Sequence, residues 1–236
     1  MQSEDDFQAL SKIIRARKTL KVLGDVHQPV CFTNDDVEKH NQKVIDAIRT
    51  AGWAPFHYHR DRDGLAEPWR VHVIWHEHCQ ALARSFHDWF PDAKPTNKLP
   101  SMLSACGALV ITTWLPQFRR KSQQLDAAQS SIGLPKQITI DDEHLAAAAA
   151  MVQNLLLLLT ANSMGTYWSS GGQFRTPKMF EKLGIDKSES FLGGIFVEYP
   201  STLGEAIERV SGKHRNNRCQ DQAWLREVQF EEGGCS

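Results

Sequence analysis

Two basic clusters and one run of small residues are the places where this chain can do chemistry. Arg15, Arg17 and Lys18, followed by Thr19, close an amphipathic segment, and guanidinium, ammonium and hydroxyl donors grouped in this way suit a phosphate. The macrodipole alone would favour the same cations at a helix C-terminus, so by themselves they leave both readings open. Lys213, His214 and Arg215 form a second cluster near the C-terminus, again either an anion contact or a solvated charge run. Trp168-Ser169-Ser170-Gly171-Gly172 follows a long apolar segment. Small residues let a backbone come within hydrogen-bond distance of a ligand, and the same run also suits an ordinary turn.

Other chemistries lack a signature. Five of the ten histidines, His57, His59, His72, His76 and His78, fall close together, but His76-Glu77-His78 lacks the i, i+4 pairing of a helical zinc motif. No metal is expected. The five cysteines are irregularly spaced, with no Cys-x-x-Cys pair, which suits reduced thiols better than a disulfide framework. There is no Gly-x-Ser-x-Gly elbow and no phosphate-binding Gly-x-x-x-x-Gly-Lys-Ser/Thr loop, so hydrolase and triphosphatase chemistry is unsupported. A formal charge of -1 with both signs dispersed offers nothing to a nucleic-acid backbone.

The elements that must position these residues are visible in the periodicity. Leu10, Ile13 and Ile14 share one face of a helix from Phe7 to Arg17, and a second helix runs from Val37 to Ala51. Arg70–Trp75 alternates as a strand, residues His76–Phe90 are helical, and the 91–100 region is a polar connection. Ala105–Thr113, β-rich and nearly uncharged, is a strand buried on both faces, with Cys106 inside it. Asp141 and Asp142 open a long helix closed by Gly165. Apolar all round and short of the roughly 20 uninterrupted apolar residues of a bilayer span, it belongs at the centre of the core. Gly165–Gly172 is a turn with a strand-like centre, Thr176–Leu183 a short helix and Phe191–Tyr199 a strand.

The expected organisation is a single α+β domain over 1–236, since helices and strands mix without a βαβ rhythm. A surface excursion or lid spans 116–135, and an extension from 204 to 236 wraps the surface or a partner. With no signal-like N-terminus, a cytoplasmic location without membrane attachment is expected. The composition, 41% hydrophobic and 23% charged over 236 residues, is ordinary for such a chain.

Three separated segments resemble the FMN-dependent nitroreductase family. Arg17-Lys18-Thr19 is similar to the family's early Arg-Arg-Ser motif. Ala54-Pro55-Phe56-His57, then Glu67-Pro68-Trp69 before a strand, resembles its Ala-Pro and Gln-Pro-Trp block, with a longer loop and Glu67 in place of Gln. The third match joins the apolar helix and Met164–Gly172 to Leu183-Gly184-Ile185 and Glu198-Tyr199-Pro200. The resemblance implies a central, mostly antiparallel sheet flanked by helices, a long buried helix and a homodimer. It also implies FMN held by Arg17, Lys18, Thr19, His57, Trp168, Ser169, Ser170, Gly171 and Arg215. No side chain is required as a catalytic acid or base. NAD(P)H would serve as co-substrate, and a nitroaromatic or quinone as small-molecule electron acceptor in a ping-pong exchange. A flavin-binding protein without turnover, or a reductive dehalogenase, is the alternative within the same fold.

Overall fold

Seven residues in succession, Ala108–Trp114, form a strand with almost no solvent exposure, and a strand buried on both faces requires a cover on each. In the computed structural model, which describes residues 2–28, 30–32, 34–60, 62–116, 139–200, 207–213 and 224–228, helices supply both covers. In chain order the elements are α1 (Gln2–Ala16), β1 (Leu20–Leu23), α2 (Asn34–Ala51), β2 (Trp69–Trp75), α3 (His76–Trp89), α4 (Leu99–Ala105), β3 (Ala108–Trp114), α5 (Ile140–Ala161), β4 (Gly165–Ser169), α6 (Pro177–Leu183), β5 (Ser190–Glu198) and β6 (Glu208–Ser211). A 3-10 turn at Gly172–Arg175 precedes α6.

The main sheet is antiparallel in the order β2-β3-β5-β4. Alternation along β3 sends Ala108 and Val110 to one face, against α2 and α5, and Leu109 and Ile111 to the other, against α3, α4 and α6. The result is an α+β sandwich of three layers. A second, two-stranded sheet pairs β1 with β6 and touches the edge of the first through a parallel bridge between Thr19 and Thr166.

Helix α5 starts on a capping box in which Thr139 Oγ1 accepts from the Asp142 amide at 3.2 Å and the Asp142 carboxylate accepts from the Thr139 amide at 3.0 Å. By length and composition alone it could cross a bilayer. Its residues Ala148, Met151, Val152, Leu155, Leu156 and Leu159 are fully buried against the sheet and α2, which makes it a core helix. It is not covered all round, however: Leu145 remains 38% exposed.

The structure revises several boundaries. The connection expected over 91–100 contains the start of α4, which Pro100 begins from within the first turn and which Leu99, Met102 and Leu103 anchor in the core. The strand therefore starts at Ala108 rather than Ala105, and Cys106 lies between α4 and β3, buried all the same. Gly165 does not close α5. Asn162 caps it, Ser163 takes the left-handed turn at φ 61°, and Gly165 opens β4, so the strand-like centre expected within Gly165–Gly172 is a paired strand that begins at Gly165 itself. The excursion expected over 116–135 lies outside the described residues apart from Pro116, and of the 204–236 extension only 207–213 and 224–228 are described.

One polar cluster fastens the outer strand. His72 Nε2 on β2 stands 2.8 Å from Glu189 Oε2, and Thr113 Oγ1 on β3 donates to the same oxygen. Burial pushes the Glu189 carboxyl up, but the hydrogen bonds from His72 and Thr113, with the charges of His72 and Arg70, outweigh it and hold the group below its ordinary 4.5. A carboxylate depressed on folding adds stability above its unfolded pKa and loses it as the pH falls through the folded value. Glu189→Gln is therefore expected to lower the unfolding free energy by about 1–3 kcal/mol near neutrality. Urea titrations should show the gap to wild type closing below pH 4.5; a gap independent of pH would assign the loss to packing.

Candidate functional site

The residues that gather at one edge of the molecule come from three distant parts of the chain. Helix α1 ends at Ala16, with the Arg17 amide still bonded to the Ile13 carbonyl at 2.9 Å, so Arg17 and Lys18 leave the helix where its carbonyl end attracts cations. Arg17 is half-buried and Lys18 exposed. Thr19 then meets β4 at Thr166, and its carbonyl accepts from the Gly212 amide at 2.9 Å. That crossing sets Gly212 against Thr19, with Lys213 next in the chain. Arg215 lies outside the described residues.

An ion pair secures the crossing. Arg209 on β6 reaches Glu198, the last residue of β5, with Nε and one terminal nitrogen both 2.6 Å from Oε1. Glu198 is nearly buried, and a charge-assisted pair of this form holds β6, and with it Gly212 and Lys213, against the main sheet. Lys18, Arg209 and Glu198 share the wall of a cavity of about 340 Å³ with Thr160, Ser163 and Tyr199. The pairing of Glu198 with Arg209 does not stand out in the sequence, because β6 is only four residues long and no local pattern joins it to the end of β5.

Three residues further along β4 from Thr166, the strand ends in the small-residue loop. The Trp168 indole, 36% exposed, lies across Gly193 of β5: a β-carbon at Gly193 would fall 1.8 Å from Trp168 Nε1. The neighbouring β3–β5 register shifts between Thr112 and Thr113, a bulge at which Thr112 Oγ1 donates to the Gly193 carbonyl at 3.0 Å. Ser169 and Gly171 are half-buried and Ser170 exposed. Gly171 has φ 132°, a backbone conformation that a side chain would strain.

His57 does not join this group. Its loop leads to β2, at the opposite edge of the main sheet and three strand spacings, roughly 14 Å, from β4. There Arg60 ties the loop down by donating to the carbonyls of Leu115 at 3.0 Å and Pro116 at 2.8 Å. His57 is exposed, beside a cavity of about 620 Å³ that Trp53, Phe56, Leu65, Glu67, Trp69 and Arg70 help to line. Among the described residues no three histidine, cysteine or carboxylate side chains stand together as a metal site. His72 turns to Glu189 and His76 lies 4.0 Å from Glu77.

Comparison with known proteins agrees with this geometry. The model of the nitroreductase family matches residues 31–197. YfhC of Bacillus subtilis (strain 168), which carries an NAD(P)H nitroreductase name, is 24% identical over 210 residues, covering 87% of this chain and 92% of its own. A nitroreductase-like family protein from Bacillus cereus superposes with a TM-score of 0.60 at 21% identity, over 94% of this chain and 96% of that one. A protein of Desulfovibrio desulfuricans, named as a nitroreductase and solved in complex with FMN, superposes with a TM-score of 0.51 at 18% identity, over 94% and 98%. With the family's model spanning most of the chain, and with the fold these structures share, the protein belongs to the nitroreductase family of oxidoreductases.

Proposed function

We propose that the protein is a cytoplasmic, homodimeric FMN-dependent oxidoreductase that passes two electrons from NAD(P)H to a small acceptor such as a nitroaromatic or quinone, the two substrates binding in turn. The observation that carries this is the single line of residues along β1 and β4. Thr19, with Arg17 and Lys18 just before it, meets Thr166 and Gly212 at one end, and β4 ends at Ser169, three residues or roughly 10 Å further on, where the Ser170–Gly171 loop begins. That separation is comparable to the length of a ribityl phosphate. Cations and a hydroxyl at one end fit a phosphate, and a loop of small residues at the other fits the close approach of a planar ring.

The chemistry such a flavin supplies is two-electron transfer between a reduced nicotinamide and an acceptor. The chain's own part is to fix the phosphate, to present the backbone donors of the Trp168–Gly171 loop to the ring edge, and to leave one ring face open to alternating substrates. No side-chain acid or base is assigned.

Two apolar surfaces support the dimer. Phe7, Leu10 and Ile14 form a stripe on α1, each more than half exposed, at the three- and four-residue spacing of one helix face. On α5, against which α1 packs, Leu145 is also partly exposed. Near the C-terminus Trp224, Leu225 and Val228 are also exposed, and we assign this segment to wrapping the partner, as well as the completion of the site from the partner's His57 loop. Obligate dimers of this kind bury more than roughly 2,000 Å².

Two measurements test the reading. Light scattering at micromolar concentration is expected to give twice the 26.7 kDa of one chain, and Leu10→Asp with Ile14→Asp to shift the mass toward the monomer. A wild-type monomer that retains flavin would overturn the dimer. In a flavin fluorescence titration, Arg17→Ala is expected to weaken FMN by roughly 10- to 150-fold, the loss of one charge-assisted contact. Riboflavin, which has no phosphate, should be nearly indifferent to the change. Equal FMN affinities in a folded variant would reduce the basic cluster to a solvated helix end.

A further inference from the structure

Arg175, the last residue of the 3-10 turn, reaches back over the loop that precedes it. Its Nε donates to the Ser170 carbonyl. Its stem lies so close to Gly171 that a β-carbon there would fall 2.6 Å from both Cγ and Nε. Its guanidinium carbon sits 5.8 Å from the centre of the Phe191 ring, which in turn stacks parallel on the buried Phe174 at 6.1 Å and 8°. The side chain therefore links the exposed loop to an aromatic pair fixed in the core.

That link determines which way one peptide faces. In a trans peptide the carbonyl and the following amide point in opposite directions. With the Ser170 carbonyl held by Arg175, the Gly171 N–H must face the other side of the loop. Its acceptor there, Ser169 Oγ, is 3.5 Å away, too long for a strong hydrogen bond. The Gly171 amide is thus aimed and only weakly engaged, a suitable donor for an acceptor atom on a ring edge.

Resting on the flavin reading above, we propose that Arg175 is a positioning residue: it holds the Ser170–Gly171 peptide so that the Gly171 N–H is presented to the flavin ring, without itself touching the cofactor. Two substitutions separate this role from a direct charge contact. Arg175→Gln places an amide nitrogen where Nε stands and removes the charge. Arg175→Met keeps the stem over Gly171 and removes the donor.

The first readout is hydrogen–deuterium exchange of the 168–176 segment in flavin-free protein. The second is titration of each variant with FMN and with riboflavin. The Met variant is expected to exchange faster in this segment and to bind FMN about tenfold more weakly, the scale of one lost hydrogen bond. Riboflavin should lose the same factor, because the contact is to the ring and not the phosphate. The Gln variant should stay within about twofold of wild type in every readout. If Gln behaves like Met for FMN and riboflavin is spared, Arg175 is a phosphate contact and the positioning role is wrong. Wild-type-like exchange and affinity in the Met variant would equally refute it while leaving the flavin reading intact. A wild-type protein that binds neither ligand would overturn both.

Discussion

The need to cover β3 on both faces governs this fold. A strand whose residues from Ala108 to Thr113 are all buried cannot lie at a surface, so the chain must supply one helical layer from α2 and α5 and another from α3, α4 and α6. Burying these apolar side chains is worth about 25 cal/mol per Å², and β5, paired with β3 on one side and β4 on the other, carries the same constraint outward. The candidate site forms where the constraint ends. At β4 the main sheet runs out of strands, and the short β1–β6 pair closes along it through Thr19 and Thr166. Backbone at such a margin is still held by the core yet open to a ligand.

How much of this was legible in the sequence follows from the range of the interactions. The alternation of Arg70–Trp75 and the apolar density of α5 are local patterns, and they located β2 and the central helix within a few residues. Helix α4 is also local, but Pro100 among polar neighbours resembled a loop; the i, i+3 and i+4 spacing of Leu99, Met102 and Leu103 was the overlooked signal. Strands β1 and β6 are four residues each and pair across most of the chain, and nothing local marks such a pairing. The site divides in the same way. Arg17, Lys18 and Thr19 are expected from family resemblance alone, whereas Gly212 against Thr19, the Glu198–Arg209 pair and the path of Arg175 depend on contacts that only the folded chain brings about. His57, grouped with these residues by motif, lies at the other edge of the sheet in a single chain.

The apolar surface left over is informative for the same energetic reason. Helix α5 buries one side completely and yet leaves Leu145 partly exposed, while α1 presents Phe7, Leu10 and Ile14 to water. Scattered exposed apolar residues are ordinary on a monomer, but a stripe at helical spacing fits the interaction surface proposed above. Sequence periodicity cannot separate a face that packs inside one chain from a face that packs against a second, because the pattern is identical. The long helix was therefore expected to be covered on every side, and the structure shows which side the monomer leaves open.

Two glycines connect the packing of the core to the shape of the site. At Gly193 the absence of a side chain lets the Trp168 indole lie directly on β5; a methyl group there would displace the indole and the loop that follows it. At Gly171 the positive φ and the Arg175 stem against Cα fix one peptide in one orientation. In both cases a missing side chain makes room, for the indole at Gly193 and for the Arg175 stem at Gly171. A site made in this way relies on peptide orientation more than on reactive side chains. That suits the reaction proposed above, in which a bound cofactor would supply the chemistry and the polar side chains at this edge would serve as anchors and clamps.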